Sequence, residues 1–163
     1  MRVSFDTRYP AEPDVVVAHR LQEDFLAEVA RRTGALDHEI QVTRDGAGTG
    51  RSVVRRTVAT TDFPDVARRF VGDTLVIVEE VEWDLPDGRT RTGAARMHAE
   101  GMPVQLDGRI LLRPSPEGSL EVVSGEIKAR VPLVGGRIEK AIEPALRDGL
   151  AAQAAALRDR LAG

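Results

Sequence analysis

The sequence predicts an α+β chain: an antiparallel sheet crossed by one long C-terminal helix. Three observations carry that prediction. Apolar residues recur with a period of two over residues 2–9 and again in successive runs between 36 and 131. They recur with a helical period over 136–161. Between the first run and the others lie two short helical stretches, each with its own stop signal.

In residues 2–9, Val3, Phe5, Thr7 and Tyr9 alternate with Arg2, Ser4, Asp6 and Arg8, the pattern of a half-buried strand. Pro10 stops it. Pro13 suits the first position of a helix, and Asp14 beside it complements the helix dipole. A short helix follows over 14–20 and a second over about 22–32, where Phe25, Leu26, Val29 and Ala30 form a stripe before Gly34. The period of two returns with Leu36, His38, Ile40 and Val42 on one face. A glycine-rich turn over 45–50 leads to a strand over 51–60, and a brief helical turn follows Pro64.

The next hairpin is the clearest. Leu75, Ile77, Glu79, Val81, Trp83 and Leu85 share one face, and Pro86-Asp87-Gly88 supplies turn chemistry. Setting Leu85 opposite Arg89 places Trp83 against Arg91, Val81 against Gly93, Glu79 against Ala95 and Ile77 against Met97. Strands over 104–113 and 119–131 follow, joined by a Pro-Ser-Pro-Glu-Gly turn. In the last helix, Ile138, Ile142, Ala145, Leu146, Gly149, Leu150, Gln153, Ala156, Leu157 and Leu161 form the apolar stripe, and Pro144 predicts a local kink. No repeat or linker divides the chain, so residues 1–163 read as one domain.

Composition narrows the function. The 163 residues are enough for a core without crosslinks, and the absence of cysteine excludes disulfides, thiolate catalysis and cysteine zinc sites. A net charge of −3 with no basic face argues against nucleic acid. No apolar run reaches the length of a membrane span, and the first residues read as a strand rather than a signal peptide, so the expected location is cytoplasmic. Aromatic residues are only 4% of the chain, so any pocket would be mostly aliphatic.

The order of elements resembles the START-like, helix-grip superfamily of polyketide cyclases and lipid-transfer domains. The local signatures are Tyr9-Pro10 with Pro13-Asp14-Val15-Val16, and Gly125-Glu126-Ile127 through Val131-Pro132-Leu133-Val134-Gly135-Gly136-Arg137-Ile138-Glu139. These look like a subfamily of uncharacterised bacterial proteins. The resemblance implies a curved sheet of about six to seven strands gripping the last helix, with a cavity between them for an apolar or amphipathic small molecule or lipid. Alternation then nominates its lining: Tyr9, His38, Ile77, Glu79, Val81, Trp83, Met97, Ile138 and Ile142.

Of these, Glu79 stands out, because a carboxylate in an apolar phase is costly unless paired. It is a proton acceptor, a ligand contact, or half of an ion pair with Arg56 or Arg91. His38 is a candidate base or polar anchor in the same cavity. His98-Ala99-Glu100 lacks the cysteines of a deaminase zinc site, and three scattered histidines make no metal site. Gly46–Gly50 joins two strands and is no dinucleotide fingerprint. No cofactor is expected. The leading expectation is a non-enzymatic carrier of a hydrophobic small molecule or lipid. The alternatives are a cyclase or dehydratase using Glu79 or His38 as acid or base, and an interaction module with a filled core.

Overall fold

A computed structural model describes residues 1–163. The strands are Arg2–Tyr9 (β1), Asp37–Arg44 (β2), Gly50–Ala59 (β3), Thr74–Trp83 (β4), Arg91–Ala99 (β5), Val104–Ser115 (β6) and Gly118–Ala129 (β7). The helices are Pro13–Arg20 (α1), Glu23–Arg32 (α2), Asp65–Arg68 (α3) and Gly135–Ala162 (α4). All seven strands join in one antiparallel sheet with the order β1-β7-β6-β5-β4-β3-β2. The elements expected from periodicity are therefore all present, in the expected order, and the fold is α+β with the helix-grip arrangement.

The faces follow the alternation. Val3, Phe5 and Tyr9 of β1, Val54 and Val58 of β3, Val81 and Trp83 of β4, and Ile110 and Leu112 of β6 are buried on the inner face. Glu80 of β4 is on the other side and pairs with Arg51 of β3 at 3.0 Å. Outer-face ion pairs of this kind add little stability. On the inner face, α1 buries Val16, Val17 and Arg20, and α2 buries Phe25, Leu26 and Ala30. Val16, Val17, Phe25 and Leu26 form one cluster with Tyr9, Trp83, Leu112 and Leu157.

The β4–β5 register differs from the expected one by two residues. Trp83 faces Gly93, Val81 faces Ala95, Glu79 faces Met97 and Ile77 faces Ala99. The cause is the turn. Asp87 and Thr90 exchange backbone hydrogen bonds around a tight loop with Gly88 at φ 61°, while Asp84 N–H donates to the Thr92 carbonyl. Leu85 and Pro86 on one side oppose Arg91 alone on the other, which is a bulge. A shift of two residues leaves every side chain on its expected face. It also brings Gly93 beneath the indole of Trp83, where an added Cβ would lie 3.1 Å from the ring and 2.7 Å from the Glu82 carbonyl.

The long helix α4 runs without interruption through Pro144. It is buried at Ile138 and again at Gln153, Ala154, Ala156 and Leu157, but its middle turns are not. Those turns lie over a hollow.

Candidate functional site

The hollow between the sheet and α4 has two parts. The outer part is about 640 Å³. Its walls are the segment around α3, with Phe63, Pro64 and Ala67, the ends of β4 and β5, with Ile77 and Met97, and α4, with Ile138, Ile142 and Leu146. The inner chamber is about 110 Å³ and lies deeper, bordered by Arg20, Glu79, Val81, Ile110, Leu150 and Gln153. Arg56, Met97, Leu106, Ala145 and Leu146 border both parts. The two are neighbours with shared walls, each apolar over most of its surface; Asp62, His98, Gln105 and Asp148 border the outer part, and Arg20, Arg56, Glu79 and Gln153 the inner one.

Those polar groups are held in different ways. Arg20, the last residue of α1, is in ion-pair contact with Glu121 of β7, and their side chains are 6% and 0% exposed. Such a pair is tolerated in a core because each charge satisfies the other. Tyr9 donates from its hydroxyl to Glu121 at 3.3 Å and accepts from Gln153 Nε2 at 3.0 Å. The guanidinium of Arg20 stacks over the Trp83 ring at 4.9 Å. Burial pushes the Tyr9 hydroxyl well above its ordinary pKa, and the neighbouring Glu121 charge raises it further. For Arg20, burial alone would lower the pKa, but Glu121, Tyr9 and Glu79 outweigh it, and the guanidinium is held firmly protonated. Arg56 donates to the Thr33 hydroxyl at 2.9 Å. Glu79 makes no hydrogen bond or salt bridge at all; its carboxylate borders the chamber without a protein partner.

The nine residues nominated by alternation fall into three groups. Ile77, Met97, Ile138 and Ile142 line the outer hollow; Glu79, Val81 and again Met97 line the inner chamber. Tyr9 and Trp83 are on the inner face but line neither part. They are 2% exposed and sit in the packed cluster beneath α1. The reason is local: the two short helices close over that end of the sheet, so the largest aromatics fill it. His38 shares the expected face, but β2 is an edge strand and His38 borders neither part of the hollow. It pairs across the ladder with Arg56, which in turn pairs with Ile77, so Arg56 stands between His38 and the β4 row that carries Glu79. The two do not form an acid–base unit. Neither Arg56 nor Arg91 pairs with Glu79: Arg91 instead reaches Asp14 at 3.1 Å and the Gly48 carbonyl at 2.6 Å. His98 borders the outer part at the end of β5. No cluster of three histidine or acidic side chains is placed to hold a metal ion.

Sequence reasoning missed Arg20 and Glu121. Both carried a signal. Arg20 follows Val16 by four residues and Val17 by three, which puts it on the apolar stripe of α1. Glu121 is in phase with Val123 and Ile127 on β7, as Glu79 is with Ile77 and Val81 on β4.

Comparison with known proteins agrees with this architecture. Residues 4–161 match the model of a family described as protein of unknown function (DUF2505). No curated protein matches the sequence. Among solved structures, the protein TTHA0849 from Thermus thermophilus is similar with a TM-score of 0.62 at 19% identity, over 98% of this chain and 96% of that one. A START superfamily protein from Mycobacterium smegmatis gives a TM-score of 0.56 at 14% identity, over 97% of each chain. Ara h 8.0201 gives 0.59 at 14% identity, over 98% of each chain. At these identities the likeness is one of fold. No helix is long and apolar enough to cross a membrane.

Proposed function

The chain belongs to the DUF2505 family, and from that premise we propose that it binds an apolar or amphipathic small molecule, such as a lipid, between its sheet and α4. The observation that carries this reading is the outer hollow of about 640 Å³, whose walls are mainly aliphatic and which shares walls with the inner chamber. Ligand sites of this kind are concave, largely apolar and pre-formed, with a few polar groups fixing orientation. A filled-core interaction module would have no such space. A carrier role fits better than a cyclase or dehydratase role because Glu79 has neither His38 nor another titratable partner poised to relay a proton, and such chemistry needs a positioned acid or base.

The test is binding of Nile red, an uncharged apolar dye, to the purified protein and to Ala145→Trp. Ala145 borders both parts of the hollow, so an indole there would take up space at their shared wall. Saturable dye binding by the parent and its loss in the variant, with unchanged far-UV circular dichroism, is the expected result. Equal binding by both proteins would place the dye elsewhere and remove the proposal. Native mass spectrometry of freshly purified protein, followed by extraction, would identify what it carries.

A further inference from the structure

The inner chamber is not simply the apolar end of the hollow. Its charged groups are Arg20, Arg56 and Glu79, with Glu121 directly behind Arg20. Arg96 also borders it, but the guanidinium of Arg96 stands on the outer face, 75% exposed beside Asp107. The inward charges therefore cancel: two guanidinium groups against two carboxylates. Glu121 is fully engaged with Arg20 and Tyr9. Arg56 donates only from Nη1, to the Thr33 hydroxyl, and has no carboxylate partner. Three sets of polar atoms remain without protein partners. One is the Glu79 carboxylate, which can only accept. The others are the rest of the Arg20 guanidinium, since only its Nη1 has an acceptor, and the rest of the Arg56 guanidinium, which borders the outer part as well. Glu79 is near enough for its charge to help hold Arg20 protonated, yet the two form no salt bridge.

A chamber of about 110 Å³ holds a few waters or a polar group of a few heavy atoms, not a second hydrocarbon chain. A charged end group would satisfy one of the two flanking residues and face the like charge of the other, in a place where the total is already zero. A group that donates to Glu79 and accepts from Arg20 satisfies both and adds no charge.

We infer that the ligand enters polar end first, and that this end is an uncharged donor–acceptor group, a hydroxyl or primary amide, seated between Glu79 and Arg20 with its apolar remainder in the outer hollow. The inference rests on the ligand-binding reading above and adds the chemistry of the end group and the orientation. Glu79 and Arg20 are the residues that would recognise it; Glu121, Tyr9 and Gln153 would position Arg20.

The experiment displaces bound Nile red with four probes of one chain length at pH 8: 1-decanol, decyl methyl ether, decylamine and decanoic acid. The ether accepts but cannot donate, and the last two are charged. Decanol should compete about tenfold or more better than each of the others, the ratio set by a hydrogen bond to a charged acceptor. Glu79→Leu should bring decanol down to the level of the ether, each measured against the dye affinity of that same variant. Glu79→Gln, whose amide oxygen still accepts, should keep part of the preference. Equal competition by all four probes, the best competition by the amine or the acid, or failure of every probe to displace bound dye would each overturn the end-group inference and leave the hollow as a binding site. Failure of the dye to bind at all would instead overturn the binding reading itself.

Discussion

Removing the Glu121 carboxylate tests how the core around the hollow is held. Glu121→Gln keeps the shape of the side chain but leaves the Arg20 guanidinium in a site where the two side chains are 6% and 0% exposed. Arginine cannot shed its proton to escape, because its pKa lies far above any working pH. Breaking a buried pair from one side costs about 3–5 kcal/mol, since an uncompensated charge stays behind. Against a total stability of about 5–15 kcal/mol for a domain, that is a large fraction. The Tyr9 hydroxyl loses a charged acceptor as well, which adds to the same side. Removing both charges together, as Arg20→Met with Glu121→Leu, should recover most of the loss, because a buried pair and a matched apolar pair are often close in energy. Urea denaturation of the parent, Arg20→Met, Glu121→Leu and the double variant gives the cycle, with Glu121→Gln measured beside it. The expected pattern is a large loss in each single variant and a coupling of about 2 kcal/mol or more on recombination. Single variants that lose less than about 1 kcal/mol, a typical surface value, would show that the pair is solvated and that the structural reasoning is wrong.

Three further outcomes follow from the same geometry. Tyr9 is the single tyrosine of the chain, so tyrosinate absorbance reports it alone. Its folded pKa is raised above the unfolded value near 10, so its contribution to stability is complete below about pH 10 and is lost as pH rises further. The ionisation should appear only with unfolding on alkaline titration; a native-state transition near pH 10 would contradict its burial. Glu79→Leu, in contrast to Glu121→Gln, should leave the stability within about 1 kcal/mol of the parent or raise it, because the carboxylate has no partner to lose; a loss of several kcal/mol in urea denaturation would reveal a missed interaction. Gly135→Ala should destabilise by about 1–3 kcal/mol, because the new Cβ would meet the Ala129 carbonyl oxygen at 2.4 Å, whereas Gly136→Ala next to it meets nothing and should be neutral or slightly stabilising. Equal midpoints for the two variants would refute the close approach.

Periodicity was sufficient for the architecture because each strand and helix writes its buried face into its own residues. The alternation of Leu75, Ile77, Val81 and Trp83, and the stripe from Ile138 to Leu157, needed no knowledge of partners. What local pattern cannot supply is which element closes over which part of the face. Tyr9 and Trp83 have the right phase, yet lie in packed core because α1 and α2 cover that end of the sheet. His38 has the right phase as well, but an edge strand carries it beyond the hollow. The register of β4 and β5 moved by two residues because the bulge at Leu85 and Pro86 is a property of the turn's backbone, not of hydrophobic pattern. The Arg20–Glu121 contact joins residues 101 apart in the chain. Each member was legible as a charge in an apolar phase, but their meeting was not, since it depends on α1 folding back over β7.

The strand order has a consequence in time. Strands β4 to β7 form a meander, each pairing with its sequence neighbour, and can assemble as they appear. Strand β1 cannot: it is synthesised before the other six, yet its ladder partner is β7, with Arg2 opposite Glu126. It must wait, with Val3 and Phe5 uncovered, until most of the chain has been made. Pairing over such a separation is also the slow part of folding for an isolated chain. The roof of the hollow, α4, is made later still, so no molecule can be enclosed during synthesis. On the proposed reading, an occupant of the hollow would be acquired by the finished protein rather than during synthesis.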